Sequence, residues 1–316
     1  MAVTQEHLPK EHLTASTTAE GPGAEFEDEN ALAIATRQEP SIFRLALRNR
    51  GVFWGGALLV LFVLIAAIGP FFAADPVALN PINRLKPPSG ADWLGTDFLG
   101  RDLFSRVVNG GRVSLIIGIA AAVVSVTIGL LIGLIAGYIR WLDAVLMRVM
   151  DGLMAIPAIL LAIALISLSG ASLFTVLIAI TIPEVPRVVR LVRAVVLTVR
   201  EEPYVEAAIT AGTRLPAILV RHVLPNTIAP LIVQATYICG SAMLTEAILG
   251  FLGAGIPPEI PSWGNIMSEG RTYFQISPWI IFYPGIALAL TVLAVNVLGD
   301  GLRDTLDPRI ARKMRA

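Results

Sequence analysis

The chain has 316 residues, 55% of them hydrophobic and 15% charged, and its 24 basic and 24 acidic side chains balance to a formal net charge of zero. That balance excludes nucleic-acid binding by bulk attraction, while apolar runs long enough to cross a hydrocarbon core of about 30 Å make the chain a polytopic membrane protein. The single cysteine, Cys239, excludes an intrachain disulfide and, lying inside an apolar run, reads as a packing residue.

Residues 1–39 are polar, with Glu25, Glu27, Asp28 and Glu29 clustered after a Gly-Pro-Gly. They have neither the basic start nor the apolar stretch of a signal peptide, so a disordered tail is expected. Six membrane helices are expected, at roughly 51–72, 113–138, 143–168, 172–199, 227–252 and 279–300. The fourth is the least regular, because Pro183, Glu184 and Pro186 interrupt it before Arg187, Arg190 and Arg193 begin. Broken, unwound backbone is expected there, which is tolerable at membrane depth only where protein or water satisfies it.

The distribution of arginine orients the helices. With both termini in the cytoplasm, that side holds Arg44, Arg48, Arg50, Arg140, Arg200, Arg214, Arg221 and the basic end "RIARKMRA". The opposite side holds 73–112 and 253–278, where Arg101, Arg106 and Arg112 run against the bias. The chain then divides into a tail at 1–39, a first span with an extracytoplasmic segment at 40–110, a main membrane unit at 111–301 and a cytoplasmic tail at 302–316.

One cytoplasmic passage, "YVEAAITAGTRLPAILVRHVLPN" at 204–226, is too polar to span. Its first half reads as a helix ending at Gly212 in a left-handed stop, and a second helix starts with Pro216 in its first turn, where a missing N–H costs least. Ala207 with Ala211, and Ala208 with Gly212, are paired at i and i+4, which predicts a face almost without side chains that another molecule can approach closely. Against this stands the reading of a solvated linker.

The passage, with Glu206, Ala207, Ala208, Gly212, Leu224 and Pro225 in place, resembles the EAA loop of bacterial ABC importer permeases. "WLGTDFLGRDLFSRVVNGGRVSL" (93–115), "LTEAILGFLGAGIPPEIPSWG" (244–264) and "NVLGDGLRDTLDPR" (296–309) are similar to the C-type permease of dipeptide and oligopeptide importers. Pro183 with Glu184, and "GYIRWLD" after the second span, depart from that family's usual pattern. The resemblance implies an all-α type I ABC importer permease fold with a cytoplasmic coupling helix within 200–226, in a bacterial inner membrane. It also implies that the EAA loop, with Ala211, Arg214 and His222 among its residues, docks on an ATPase subunit. The partners implied are a second, B-type permease, two ATPases that bind ATP and magnesium, an extracytoplasmic solute-binding protein and membrane lipid. The cargo implied is di- or oligopeptides, with nickel complexes or another small solute as the alternative.

No phosphate-binding loop is present, since Lys10, Lys86 and Lys313 are followed by Glu, Pro and Met, so the chain is expected to be a non-catalytic subunit that itself holds no cofactor. No metal cluster is expected, because His7 and His12 lie in the tail and His222 stands alone as a contact or capping residue. Three acidic residues lie in or near spans, where a charge costs at least about 2.5–3.5 kcal/mol. Asp151 is expected to pair with Arg148, and Glu246 falls in a family-like segment. Glu184, beside Pro183, is a candidate lining residue of the translocation pathway, the alternative being a structural pair with Arg187. A rival function, an ion-coupled secondary transporter, would use Glu184 and Glu246 as carriers and leave the small-residue loop unexplained. A membrane scaffold without transport is a third possibility.

Overall fold

The computed structural model describes residues 48–306, so the expected tails at 1–39 and beyond 306 lie outside the described residues. The helices are α1 (Arg50–Ile68), α2 (Leu103–Tyr138), α3 (Arg140–Ala155), α4 (Ala158–Ser169), α5 (Leu173–Val199), α6 (Pro203–Thr210), α7 (Leu215–Phe251), α8 (Trp263–Gly270) and α9 (Trp279–Leu306). Among the described residues the only β feature is an isolated bridge between Thr96 and Asp102.

Among the described residues four helices are long and apolar enough to cross a membrane, those beginning at Arg50, Leu103, Leu215 and Trp279, and a fifth crossing is made if α3 and α4 count as one. The expected span at 143–168 is therefore corrected: it is two helices bent by 88° at Ile156–Pro157. Proline removes a donor and pushes the preceding residue out of the helical region, and Ile156 is extended, at φ −90° and ψ 128°. The fourth expected span, 172–199, is α5, whose second half carries Arg187, Arg190 and Arg193 and which is not among the helices apolar enough to cross a membrane.

The expected break in α5 is also corrected. Pro183 and Pro186 lie within an unbroken helix of 27 residues. Packing explains why the helix continues through these prolines and stops at Pro157. Val188, Val192 and Val196, all fully buried, fit against Gly129, Gly133 and Gly137 of α2. A Cβ at those glycines would come within 2.4, 2.7 and 2.6 Å of the respective valine Cβ atoms. Small residues at i, i+4 and i+8 let two membrane helices approach closely enough for dispersion to hold them. The outer surface of α3 and α4 around Pro157 is largely exposed, and no comparable seam is present there.

The same device joins α1 to α9, where a Cβ at Gly55 would sit 2.6 Å from the Leu298 nitrogen. The Asn49 side chain caps α1 and reaches the Gly301 carbonyl at 3.2 Å. The core lies among α2, α4, α5 and α7, with Ile117, Ala121, Ala162, Val176, Ala179, Ala242 and Leu249 buried together.

The two segments assigned to the extracytoplasmic side meet at one end of the molecule. Arg101 and Arg106 bond both Asp97 and Glu269, the latter on α8, and Trp263 donates to the Val107 carbonyl at 2.9 Å. The arginines that ran against the orientation bias are thus internally neutralised, except Arg112, which is exposed.

Candidate functional site

Helix α6 starts on Pro203 at a first-turn position and ends in a Schellman motif. Gly212 has φ +79°, its amide donates to the Ile209 carbonyl at 2.9 Å, and the Thr213 amide donates to the Ala208 carbonyl at 3.0 Å. Nothing lies within 4 Å of a Cβ built on Gly212, so glycine is required there by backbone conformation rather than by space.

One buried side chain anchors α6 in the body. Val205 is fully buried among Val196, Val199, Ile218 and Val223. The opposite side, Glu206, Ala207, Thr210 and Ala211, is exposed. The expected small face is therefore split: Ala207, Ala211 and Gly212 are open, while Ala208 is half-buried toward the body.

The second expected helix does begin with Pro216 in its first turn, but it is not a separate element. It runs through a π turn at Leu219–Val223 into the membrane portion of α7, with the Leu224 amide bonding the Leu219 carbonyl. Pro225 has no N–H for the preceding turn, and the wider turn relieves its ring. Arg214 precedes α7 as an exposed extended residue, Leu224 is half-buried and Pro225 is exposed. His222 packs against Tyr204, ring centroids 5.9 Å apart, and Asn226 donates to the His222 carbonyl at 2.7 Å and to the Tyr204 hydroxyl at 3.2 Å. Tyr204 and Asn226, which sequence reasoning did not single out, hold α6 against the base of α7. Among the described residues no group of three or more His, Cys, Asp or Glu is placed to hold a metal.

The membrane charges are arranged along α5. Glu184 is buried and accepts from Arg187 Nη1 at 2.9 and 3.0 Å and from the Ser241 hydroxyl of α7 at 3.2 Å. Pro183 beside it is half-buried. Asp151 pairs with Arg190 at 2.5 Å rather than with Arg148, and Asp143 is chelated by Arg193. Those pairs join α3 to α5, contacts that sequence spacing does not reveal. Glu246 is fully enclosed, with Oε2 accepting from Ser114 of α2 at 2.9 Å and Oε1 without a protein partner.

Two family models match the chain: "Binding-protein-dependent transport system inner membrane component" over residues 125–312, which contains α6, the π turn and the Glu184 pair, and "N-terminal TM domain of oligopeptide transport permease C" over 41–88. The chain belongs to this permease family. A probable peptide ABC transporter permease of Sinorhizobium fredii is 54% identical to the permease over 276 residues, 87% of this chain and 95% of that one. A dipeptide transport system permease of Alkalihalophilus pseudofirmus is 41% identical over 305 residues, 96% and 99% of the two chains. A glutathione transport system permease of Pectobacterium atrosepticum is 39% identical over 273 residues, 85% and 90% of the two. Among solved structures, the inward-facing MetNI methionine ABC transporter matches 67% of this chain and 95% of its own at 21% identity and a TM-score of 0.48. Membership sets aside the secondary-transporter and scaffold readings. Glu246, a carrier in the first of these, is sealed from solvent.

Proposed function

We propose that this permease is one half of the membrane channel of an ATP-driven importer of di- and oligopeptides, working with a second permease, two ATPases and an extracytoplasmic binding protein. The relatives named for peptide, dipeptide and glutathione transport support the cargo. In this reading both termini and 200–226 face the cytoplasm, ATP and magnesium are held by the partners, and this chain carries out no hydrolysis. The main membrane unit at 111–301 and the flanking segments at 40–110 and 302–316 keep the boundaries expected from sequence. Pro183 and the Glu184–Arg187 pair belong to the pathway side of α5.

The observation that carries the reading is α6: a short helix pinned by a single buried valine, with Glu206, Ala207 and Ala211 turned outward, and stopped by Gly212. It is a shallow, rigid knob suited to seat in a groove of the ATPase, with Arg214, His222, Leu224 and Pro225 forming its base. Because α7 continues from that base into the membrane, movement of the knob is carried inward by one helix of 37 residues, about 55 Å long at 1.5 Å per residue.

Ala207→Trp tests this better than a change at half-buried Ala208, since it adds bulk to the outer face without disturbing the packing beneath. The variant should reach the membrane at parental levels, lose peptide uptake and lose co-purifying ATPase subunits, whereas Thr198→Ala, exposed on α5, should behave like the parent. Retention of both ATPases and uptake by Ala207→Trp would refute the docking role.

A further inference from the structure

Three arginines follow one another along α5, and the structure uses their guanidinium groups differently. Arg193 presents its Nε and Nη2 edge to both oxygens of Asp143, the side-on bidentate arrangement that a planar guanidinium offers a carboxylate. Arg190 donates from Nη2 to Asp151. Arg187 meets Glu184 through Nη1 alone. Its own Nε and Nη2 edge has no hydrogen-bond partner among the described residues, and the side chain is 44% exposed.

This edge is not the end of a loose side chain. Glu184 beneath it is buried and held a second time by Ser241, so the guanidinium is fixed from behind with its bidentate edge outward. Arg187 lies about 21 Å along α5 from Leu173, less than the thickness of a hydrocarbon core of about 30 Å. Setting a cation at such a depth against lipid tails would cost at least about 2.5–3.5 kcal/mol, which favours water or protein around it. Arg148, on the adjoining α3, has no ion-pair partner among the described residues, so the acids Glu184, Asp151 and Asp143 do not cancel the cations of this region.

We propose that Arg187 is a carboxylate-binding residue of the translocation pathway, taking the C-terminal carboxylate of a passing peptide on its Nε and Nη2 edge. This rests on the peptide-importer reading. Glu184 then acts through Arg187, as the residue that positions it, and does not touch cargo.

The test uses the complete transporter in proteoliposomes with its binding protein, comparing uptake of a dipeptide with that of its C-terminal amide. Delivery by the binding protein is common to parent and variant, so a change in the acid-to-amide ratio belongs to the permease. Arg187→Gln should lower that ratio at least 10-fold, and Arg187→Lys, which keeps the charge but loses the fork, should fall between. In a Cys239→Ser background, Arg187→Cys should regain dipeptide uptake after modification with a cationic thiosulfonate and not with an anionic one. An unchanged ratio in Arg187→Gln, with assembly intact, overturns the proposal. So does a thiol at this position that stays unreactive with and without ATP, which would assign the edge to an acidic side chain of the second permease. A parent complex that takes up no peptide overturns the importer reading and this inference with it.

Discussion

The charge network of Asp97, Arg101, Arg106 and Glu269 provides the sharpest energetic test of the fold. Asp97 and Arg106 are almost completely buried, and Arg101 and Glu269 nearly so. Two cations and two anions make the group neutral. Asp97 is its centre: Oδ2 accepts from Arg101 Nε at 2.5 Å and Arg106 Nη1 at 2.7 Å, while Oδ1 accepts from the Leu99 and Arg101 amides at 2.8 and 2.9 Å. Asp97→Asn keeps the volume but leaves a buried excess of one positive charge and puts an amide hydrogen against a guanidinium. Removing one partner of a buried pair costs about 3–5 kcal/mol. At roughly 2–4 °C per kcal/mol for a chain of this size, the midpoint of thermal unfolding should fall on the order of 10 °C. The assay is retention of the monodisperse complex after heating in detergent. Arg106→Met added to Asp97→Asn restores neutrality, so the double variant should lose clearly less than the sum of the singles. A midpoint for Asp97→Asn within about 1 °C of the parent, where a surface change of under 0.5 kcal/mol would leave it, would refute the account.

Gly133→Ala should weaken the seam between α2 and α5, because its Cβ would lie 2.7 Å from Val192 Cβ and 2.9 Å from the Val189 carbonyl. The expected loss is about 1–3 kcal/mol, recovered in part by Val192→Ala in the same thermal assay. Glu246→Gln should leave assembly and uptake near parental, since the amide keeps the shape and the acceptor for Ser114, and loss of uptake would show that the charge itself is needed. Gly212→Val should insert normally and lose uptake, measured beside membrane level, because a β-branched residue resists φ +79°. A cysteine replacing Thr213 in a Cys239→Ser background should be shielded from an impermeant reagent added outside intact spheroplasts, and ready labelling would reverse the orientation.

Much of this was legible because it is local. The apolar runs begin within a residue of α1, α5 and α9 and end within a residue of α2 and α7, and the Gly212 stop follows from a residue that alone takes positive φ without strain. What failed was proline. Pro157 sits in an apolar run and gives no warning, while Pro183 and Pro186 beside Glu184 and Arg187 look like a break, yet the first ends a helix and the others do not. The difference lies in a neighbour far along the chain, the glycine groove of α2 that receives α5. The outer network escaped for the same reason. Asp97, Arg101 and Arg106 lie close together in sequence, but Glu269, which completes them, arrives only through tertiary folding. At the candidate site the alanines and the glycine announced themselves by spacing, whereas Tyr204 and Asn226 act through each other and have no pattern of their own.

The division of α7 bears on how a motion at α6 would reach the membrane. At the π turn and just beyond it the helix is tied to α6 by Val205 and the Tyr204–Asn226 contact; farther along, Ser241 bonds Glu184 of α5 and Glu246 bonds Ser114 of α2. Apolar packing also joins α7 to α2, where a Cβ at Gly118 would lie 2.7 Å from Met243 Cγ, but that is one glycine contact against the three successive ones between α2 and α5. If a docked ATPase displaces α6, the α2–α5 pair should stay together and α7 should tilt against it, because the three-turn seam resists separation more than one glycine contact and two single hydrogen bonds do. The Ser241–Glu184 bond lies on that sliding boundary, next to Arg187. A tilt that lengthens it would release Glu184 toward Arg187, coupling the position of the guanidinium to the state of the loop.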